Sequence, residues 1–334
     1  MLNKDEFDYL GITRWHDLSY KGQGITIASE ENILENIFND VEALKYGKIQ
    51  SDSYIHGTNV MDFIRQVAPE ARKITGEMNG TIKNGKIKSE QFQFLIDNKP
   101  DLFTSSVYDA GGYEDCQIEL YKKLSTNGCF LCCAAGNENV KGVTLKAKLN
   151  IFQSIGACRL INNNNNIIKA NYSSVGEELD FMSFDNLETT WRKKHETGTS
   201  FASPLFTGML ALVQCFFLKK TGKKLNHEKL IEFVKDHCID LEDEGHDSRT
   251  GFGLFILPEP TEIDISKYSE VKEMEIKLKI NNNIAYVDGN EVILDTEPII
   301  HNNRTLVPIR FIAETFGCEV EWDDKGREVI IKKG

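Results

Sequence analysis

The chain has 334 residues, a formal net charge of −12 and a sequence pI near 5.2. That length can bury one large core and still carry a small extra domain. The acidic balance excludes nucleic acid and anionic membrane as main partners, because both attract basic surfaces.

Taken in chain order, the first residues, Met1-Leu2-Asn3-Lys4-Asp5-Glu6-Phe7-Asp8, lack the basic start and apolar core of a secretory signal. No apolar run reaches transmembrane length, and a cytoplasmic setting is expected. Apolar, strand-length segments then recur at residues 25–28, 71–76, 102–107, 128–135 and 151–158, separated by helix-like stretches at 33–44, 56–67, 89–98 and 115–127. Strand alternating with helix predicts an α/β fold, a doubly wound and mainly parallel sheet. Residues 162–166, all asparagine, read as a hairpin turn or loop. Residues 200–218 predict a mostly apolar, buried helix, with Gly208 permitting close packing. After Leu257-Pro258-Glu259-Pro260 a charged stretch to Lys272 reads as a linker, so the expected boundaries are 1–258 for the large domain, 259–272 for the linker and 273–334 for a small α+β unit. In that unit residues 275–280, 284–287 and 292–294 alternate as strands around Asn281-Asn282-Asn283.

The segment His195-Glu196-Thr197-Gly198-Thr199-Ser200-Phe201-Ala202-Ser203-Pro204 places Ser200 where a loop turns into the buried helix. A helix N-terminus offers unpaired N–H groups and partial positive charge, which favour an oxyanion developing beside that serine. Gly198 allows a tight turn, and Pro204 suits an early helical position. An ordinary N-cap serine is the plain alternative.

Four further segments decide between the two. His56-Gly57-Thr58-Asn59-Val60, then Ile64 and Val67-Ala68-Pro69-Glu70-Ala71, precede Ala134-Ala135-Gly136-Asn137-Glu138; Tyr172-Ser173-Ser174-Val175-Gly176 and Thr250-Gly251-Phe252-Gly253-Leu254 flank the serine. In this order across residues 1–258 they resemble the segments of the subtilisin-like serine peptidases. The resemblance implies His56 as general base, Ser200 as nucleophile and Asn137 as oxyanion donor. The chemistry asks for the same types: a serine hydroxyl needs an imidazole to take its proton, and that imidazole needs a carboxylate on its other nitrogen.

The carboxylate segment departs from the family pattern. After Gly22-Gln23-Gly24-Ile25-Thr26-Ile27-Ala28 the family continues with two apolar residues and an aspartate, whereas this chain has Ser29-Glu30-Glu31-Asn32. Glu31 falls on the aspartate position. An unpaired carboxylate at Glu30 is too costly inside a covered strand, so the strand is expected to end near Ala28, with Glu30 as the alternative orienting acid if it ends earlier. The resemblance also implies that peptide lies extended beside residues 104–109, with Ser105, Ser106, Val107, Ala135 and Gly136 binding it. A catalytically inactive, peptide-binding or scaffolding protein is the alternative of a different class.

This chemistry requires no cofactor. The resemblance implies structural calcium in many members, but no loop has the Asp-x-Asp-x-Asp-Gly spacing, so no metal site is assigned. His16, His195, His227, His237, His246 and His301 have no partner at ligand spacing and read as surface or satisfied side chains. Cys129, Cys132 and Cys133 lie in one apolar run, a buried strand on which they cannot converge on an ion; free thiols suit a reducing compartment. Residues Arg304-Thr305-Leu306-Val307-Pro308-Ile309-Arg310-Phe311 through Gly317, with Val320-Glu321-Trp322-Asp323, resemble the stalk-like domain named after the copper amine oxidase N-terminus. One His and one Cys, His301 and Cys318, make no copper site. Binding or self-association is the expected use of 273–334, with a stabilising appendage as the plain alternative.

Overall fold

Apolar strands flanked by amphipathic helices have few ways to hide both sheet faces, and the computed structural model shows the doubly wound one. It describes residues 2–44, 51–76, 82–83, 86–87, 89–107, 115–139, 142–161, 166–269 and 275–333. Asp109 and residues 162–165 of the predicted asparagine turn lie outside these.

The central sheet contains β1 (Thr26–Ser29), β2 (Val41–Ala43), β3 (Arg72–Thr75), β4 (Leu102–Ser105), β5 (Phe130–Ala134), β6 (Phe152–Ile161), β7 (Asn166–Lys169), β8 (Phe181–Phe184), β9 (Cys238–Ile239) and β10 (Leu254–Phe255). Its order is β9-β10-β8-β6-β5-β4-β1-β3-β2, with β7 beside β6. The β1–β3, β1–β4, β2–β3, β4–β5, β5–β6, β6–β8 and β8–β10 pairs are parallel; β6–β7 and β9–β10 are antiparallel. The strand order therefore reverses direction at β1. In open α/β sheets the crevice beyond the carboxyl ends of the strands at such a reversal is where ligands bind, and here it lies beyond β1 and β4.

The longer helices of the first two thirds of the chain are α1 (Asp52–Val67), α2 (Ser89–Asp97), α3 (Asp115–Thr126) and α4 (Thr199–Thr221). Residues Phe201 to Phe217 of α4 are buried throughout, against the sheet and α1. By length and composition α4 could cross a membrane, but it is the core helix. Gly208 brings it close to α1: a Cβ there would meet the Val67 Cβ at 2.8 Å. Thr104 Oγ1 and Ser203 Oγ, 2.9 Å apart, fix α4 to β4.

Two expectations change. Residues 33–44 do not form a helix, although their apolar positions recur at helical spacing. The Leu34 N–H donates to Thr58 Oγ1 at 2.9 Å, Asn36 is left-handed at φ 63°, and Val41–Ala43 adds an edge strand to β3. Secondly, β1 runs to Ser29, one residue beyond the predicted end. Ser29 stays inside because Thr75 Oγ1, on the neighbouring strand, lies 2.9 Å from its hydroxyl.

The chain divides into two compact units, Met1–Glu270 and Val271–Gly334. The first part of the stretch read as a linker is packed chain: Ile265–Tyr268 is a helical turn, Tyr268 is buried against the Phe217 and Phe233 rings, and its hydroxyl donates to Asp236 Oδ2 at 2.6 Å. In the small unit Ile276–Leu278, Ile284–Val287 and Asn290–Ile293 form an antiparallel sheet. Two further hairpins, Ile299–His301 with Arg304–Leu306 and Cys318–Asp323 with Glu328–Lys333, flank the helix Ile309–Thr315. Among its described residues only Ala285, Leu294, Pro298 and Ala313 are buried apolar side chains.

Candidate active site

The end of β1 fixes the acidic pair. Thr75 Oγ1 donates to Glu31 O at 2.7 Å, so the chain turns where the Ser29 and Thr75 hydroxyls meet. Successive side chains then leave on opposite sides. Glu31, 3 % exposed, places Oε2 3.3 Å from His56 Nδ1, and its Oε1 accepts the Ser106 N–H at 3.0 Å. Glu30, 2 % exposed, turns the other way and accepts from Lys146 Nζ, from Ser105 Oγ and, at 2.7 Å, from Tyr121 Oη. Glu31, not Glu30, is thus the carboxylate beside His56.

His56 sits near the start of α1, and glycine at the next position sets its approach. A Cβ on Gly57 would lie 2.0 Å from the Asn32 carbonyl oxygen, so any larger residue would push α1 off the acidic turn. The His56 ring packs 5.4 Å from the Phe201 ring, centroid to centroid, which brings it beside the start of α4. Burial acts most strongly on the imidazole and lowers its pKa, but the hydrogen bond and charge of Glu31, aided by the charge of Glu196, outweigh it and hold the pKa above 6.5.

Ser200 is the second residue of α4, where an N–H has no helical acceptor. Gly198, the N-cap, has φ 138°, a backbone state open essentially to glycine alone, and its N–H donates to Asp185 Oδ2 at 2.8 Å. Asp185 is gripped in turn by Arg159 Nε at 2.9 Å and by the Tyr172 hydroxyl. Ser106 Oγ donates to Ser200 O at 2.7 Å, and Ser200 Oγ donates weakly to Ser106 O at 3.5 Å. Among the described residues no hydrogen bond joins Ser200 Oγ to His56, a contact that in free enzymes often tightens only when substrate arrives.

The Asn137 amide is oriented by two donors. Thr199 N–H and Thr199 Oγ1 both donate to Asn137 Oδ1 at 2.9 Å, which turns the Nδ2 donors outward. A cleft of about 390 Å³ opens there, lined by Ser106, Val107, Ala135, Gly136, Asn137 and Ser200 among others. Ser105 does not line it; its side chain faces Glu30 and Lys146. Val143 and Leu145 belong to the lining as well.

Sequence reasoning missed Lys146, Thr199 and Asp185. The cost of burying Glu30 was the one available signal that a buried cation had to exist. His195 is exposed and bonds Asn186 O through Nδ1 at 2.8 Å, away from Ser200. Cys129, Cys132 and Cys133 are buried, and burial raises the Cys132 thiol to about 12. Among the described residues no group of three or more His, Cys, Asp or Glu side chains is placed to hold a metal ion.

Comparison with known proteins bears on the fold and the family. Residues 263–331 match the copper amine oxidase N-terminal domain. The major intracellular serine protease of Bacillus subtilis (strain 168) is 26% identical over 242 residues, covering 64% of this chain and 71% of that protein. Among solved structures, a lanthipeptide protease superposes with a TM-score of 0.58 at 16% identity, over 76% of this chain and 92% of the other. A prenylagaramide maturation protease gives 0.59 at 19% identity, over 73% and 95%. Residues 15–253 match the subtilase family, and the chain, with its serine at the helix start and its histidine beside a buried carboxylate, belongs to that family of serine proteases.

Proposed function

We propose that the chain is a serine endopeptidase that forms an acyl-enzyme on Ser200. Peptide lies extended along the segment that follows β4, beside Ser106 and Val107, with Ala135 and Gly136 forming the opposite floor. His56 takes the Ser200 proton as the hydroxyl attacks the scissile carbonyl. It returns that proton to the leaving amine, and water then repeats the sequence to release the acid product. Glu31 holds the proton on Nδ1, which leaves Nε2 as the base, and its charge stabilises the imidazolium. Asn137 Nδ2 and the N–H groups at the start of α4 receive the oxyanion. No metal or cofactor takes part in these steps.

The observation that carries the reading is the 3.3 Å contact of Glu31 Oε2 with His56 Nδ1 at the β1 switch point. Protein or peptide is the substrate class, and the free thiols of Cys129, Cys132, Cys133, Cys158, Cys215, Cys238 and Cys318 suit the cytoplasm, as does the intracellular relative. We assign the larger unit, which contains the expected catalytic residues 1–258 and runs on to Glu270, to catalysis, and 273–334 to binding or self-association. A fluorophosphonate probe tests the reading directly. It should label the purified protein covalently and leave Ser200→Ala unlabelled; equal labelling of both proteins, or of neither, would refute the serine mechanism.

A further inference from the structure

Lys146 is buried, 2 % exposed, and so is its carboxylate partner Glu30. A buried ion pair contributes little net stability, since desolvation offsets most of its attraction. Its value lies in geometry, and the geometry here converges on three consecutive residues. Lys146 Nζ donates to Ser105 Oγ at 2.6 Å and to Val107 O at 3.5 Å, and Ser105 Oγ donates to Glu30. Between them, the Ser106 N–H donates to Glu31 Oε1, and the Ser106 hydroxyl to Ser200 O. Glu30 also precedes Glu31 directly in the chain, so the pair grips the acidic turn and the segment after β4 at once.

We propose that Lys146 and Glu30 are positioning residues: by clamping residues 105–107 they hold the Ser106 N–H against Glu31 and so aim the Glu31 carboxylate at His56. This rests on the peptidase reading only for its consequence in turnover. It accounts for the glutamate at 31. A side chain one methylene longer than aspartate has an extra torsion to fix, and the Ser106 N–H, itself fixed by the buried pair, supplies the constraint.

The test reads His56 and needs no turnover. In the full chain carrying Ser200→Ala, which prevents self-digestion, the His56 imidazole is titrated by NMR and assigned by loss of its signal in His56→Gln. The charged groups acting on His56 are Glu31 and Glu196, with the Phe201 ring against its face. Adding Lys146→Met should lower the midpoint by about one pH unit as Glu31 loosens. Removing a cation acts through space in the opposite sense, so a fall reports position, not charge. Ser105→Ala, which alters no charge and little volume, should lower the midpoint in the same direction and serves alone if Lys146→Met does not fold. With Ser200 restored, Ser105→Ala should lower kcat more than it raises KM. A folded Ser105→Ala protein with the parental His56 midpoint, or a midpoint that rises in Lys146→Met, would overturn the proposal. Failure of the probe to label the parent would instead sink the peptidase reading and leave this titration standing.

Discussion

Glutamate in the orienting position keeps the negative charge but carries it roughly 1.5 Å further along the side chain than aspartate. The turn after Ser29 absorbs that length, leaving Glu31 bonded at both oxygens. Its charge is then the quantity to test. Glu31→Gln keeps the shape, loses the charge and can hold the wrong tautomer, so kcat should fall by up to about four orders of magnitude, as when the carboxylate of a serine protease triad becomes its amide. The sign of the pH dependence follows from the same contact. The general base we propose, His56, can act only when neutral, and its pKa is raised above 6.5. The acid limb of kcat/KM should therefore have its midpoint above that value in the parent and move down in Glu31→Gln, where the residual activity permits a profile. Asn137 acts on a different state. In the role we propose for it, Asn137 Nδ2 meets the oxyanion more strongly than the ground-state carbonyl, so Asn137→Ala should lower kcat by about two to three orders of magnitude while KM hardly moves. A matching rise in KM at constant kcat would make Asn137 a substrate contact only.

Between elements, the site depends on how closely α1 approaches the acidic turn and α4. A methyl group on Gly57 would overlap the Asn32 carbonyl, and neither group can swing aside. Gly57→Ala should therefore lower kcat at least about a hundredfold, because a displacement of roughly 1 Å in a catalytic group can cost that much, and should also lower Tm in a thermal melt. Wild-type turnover by a folded Gly57→Ala protein would mean that α1 has slack the structure does not suggest. The same elements show what could be read from sequence. Buried strands and α4 announced themselves through continuous apolar runs, which no other arrangement hides as well. The helix expected over 33–44 had the right apolar spacing, but spacing cannot see that a Thr58 hydroxyl and the open edge of β3 would claim that backbone. The segments around Ser200, His56 and Asn137 stood out in the sequence because their neighbours are small and distinctive. Lys146 was not: it sits in a run of lysines, Lys141, Lys146 and Lys148, that reads as solvated surface, and only the tertiary fold brings it to Glu30.

At the scale of the whole molecule, the two units differ in how well they are consolidated. The larger extends through Tyr268, whose ring is buried and whose hydroxyl is bonded, while the smaller buries four apolar side chains among its described residues and leaves Ile293, Ile300, Phe316 and Trp322 more than half exposed. A chain ending at Glu270 should retain cleavage of a small peptide and the parental Tm of the larger unit. One ending at Pro260 loses the Tyr268 packing, worth about 3 kcal/mol, and should melt roughly 6–12 °C lower in calorimetry. Equal melting of the two would show that residues 261–270 contribute nothing to the larger unit.

The cleft itself is built from two kinds of wall. Ser106 and Val107 are committed atom by atom to Glu31, Ser200 and Lys146; Val143 and Leu145 line the same space with apolar side chains that carry no polar obligation. Mutations that adapt the protein to a new side chain are therefore tolerated unequally. Evolution, natural or in the laboratory, has its freedom at Leu145, which is exposed and where preference can drift without disturbing the proposed chemistry, and should meet an immediate loss of turnover when it tries Ser106 or Val107.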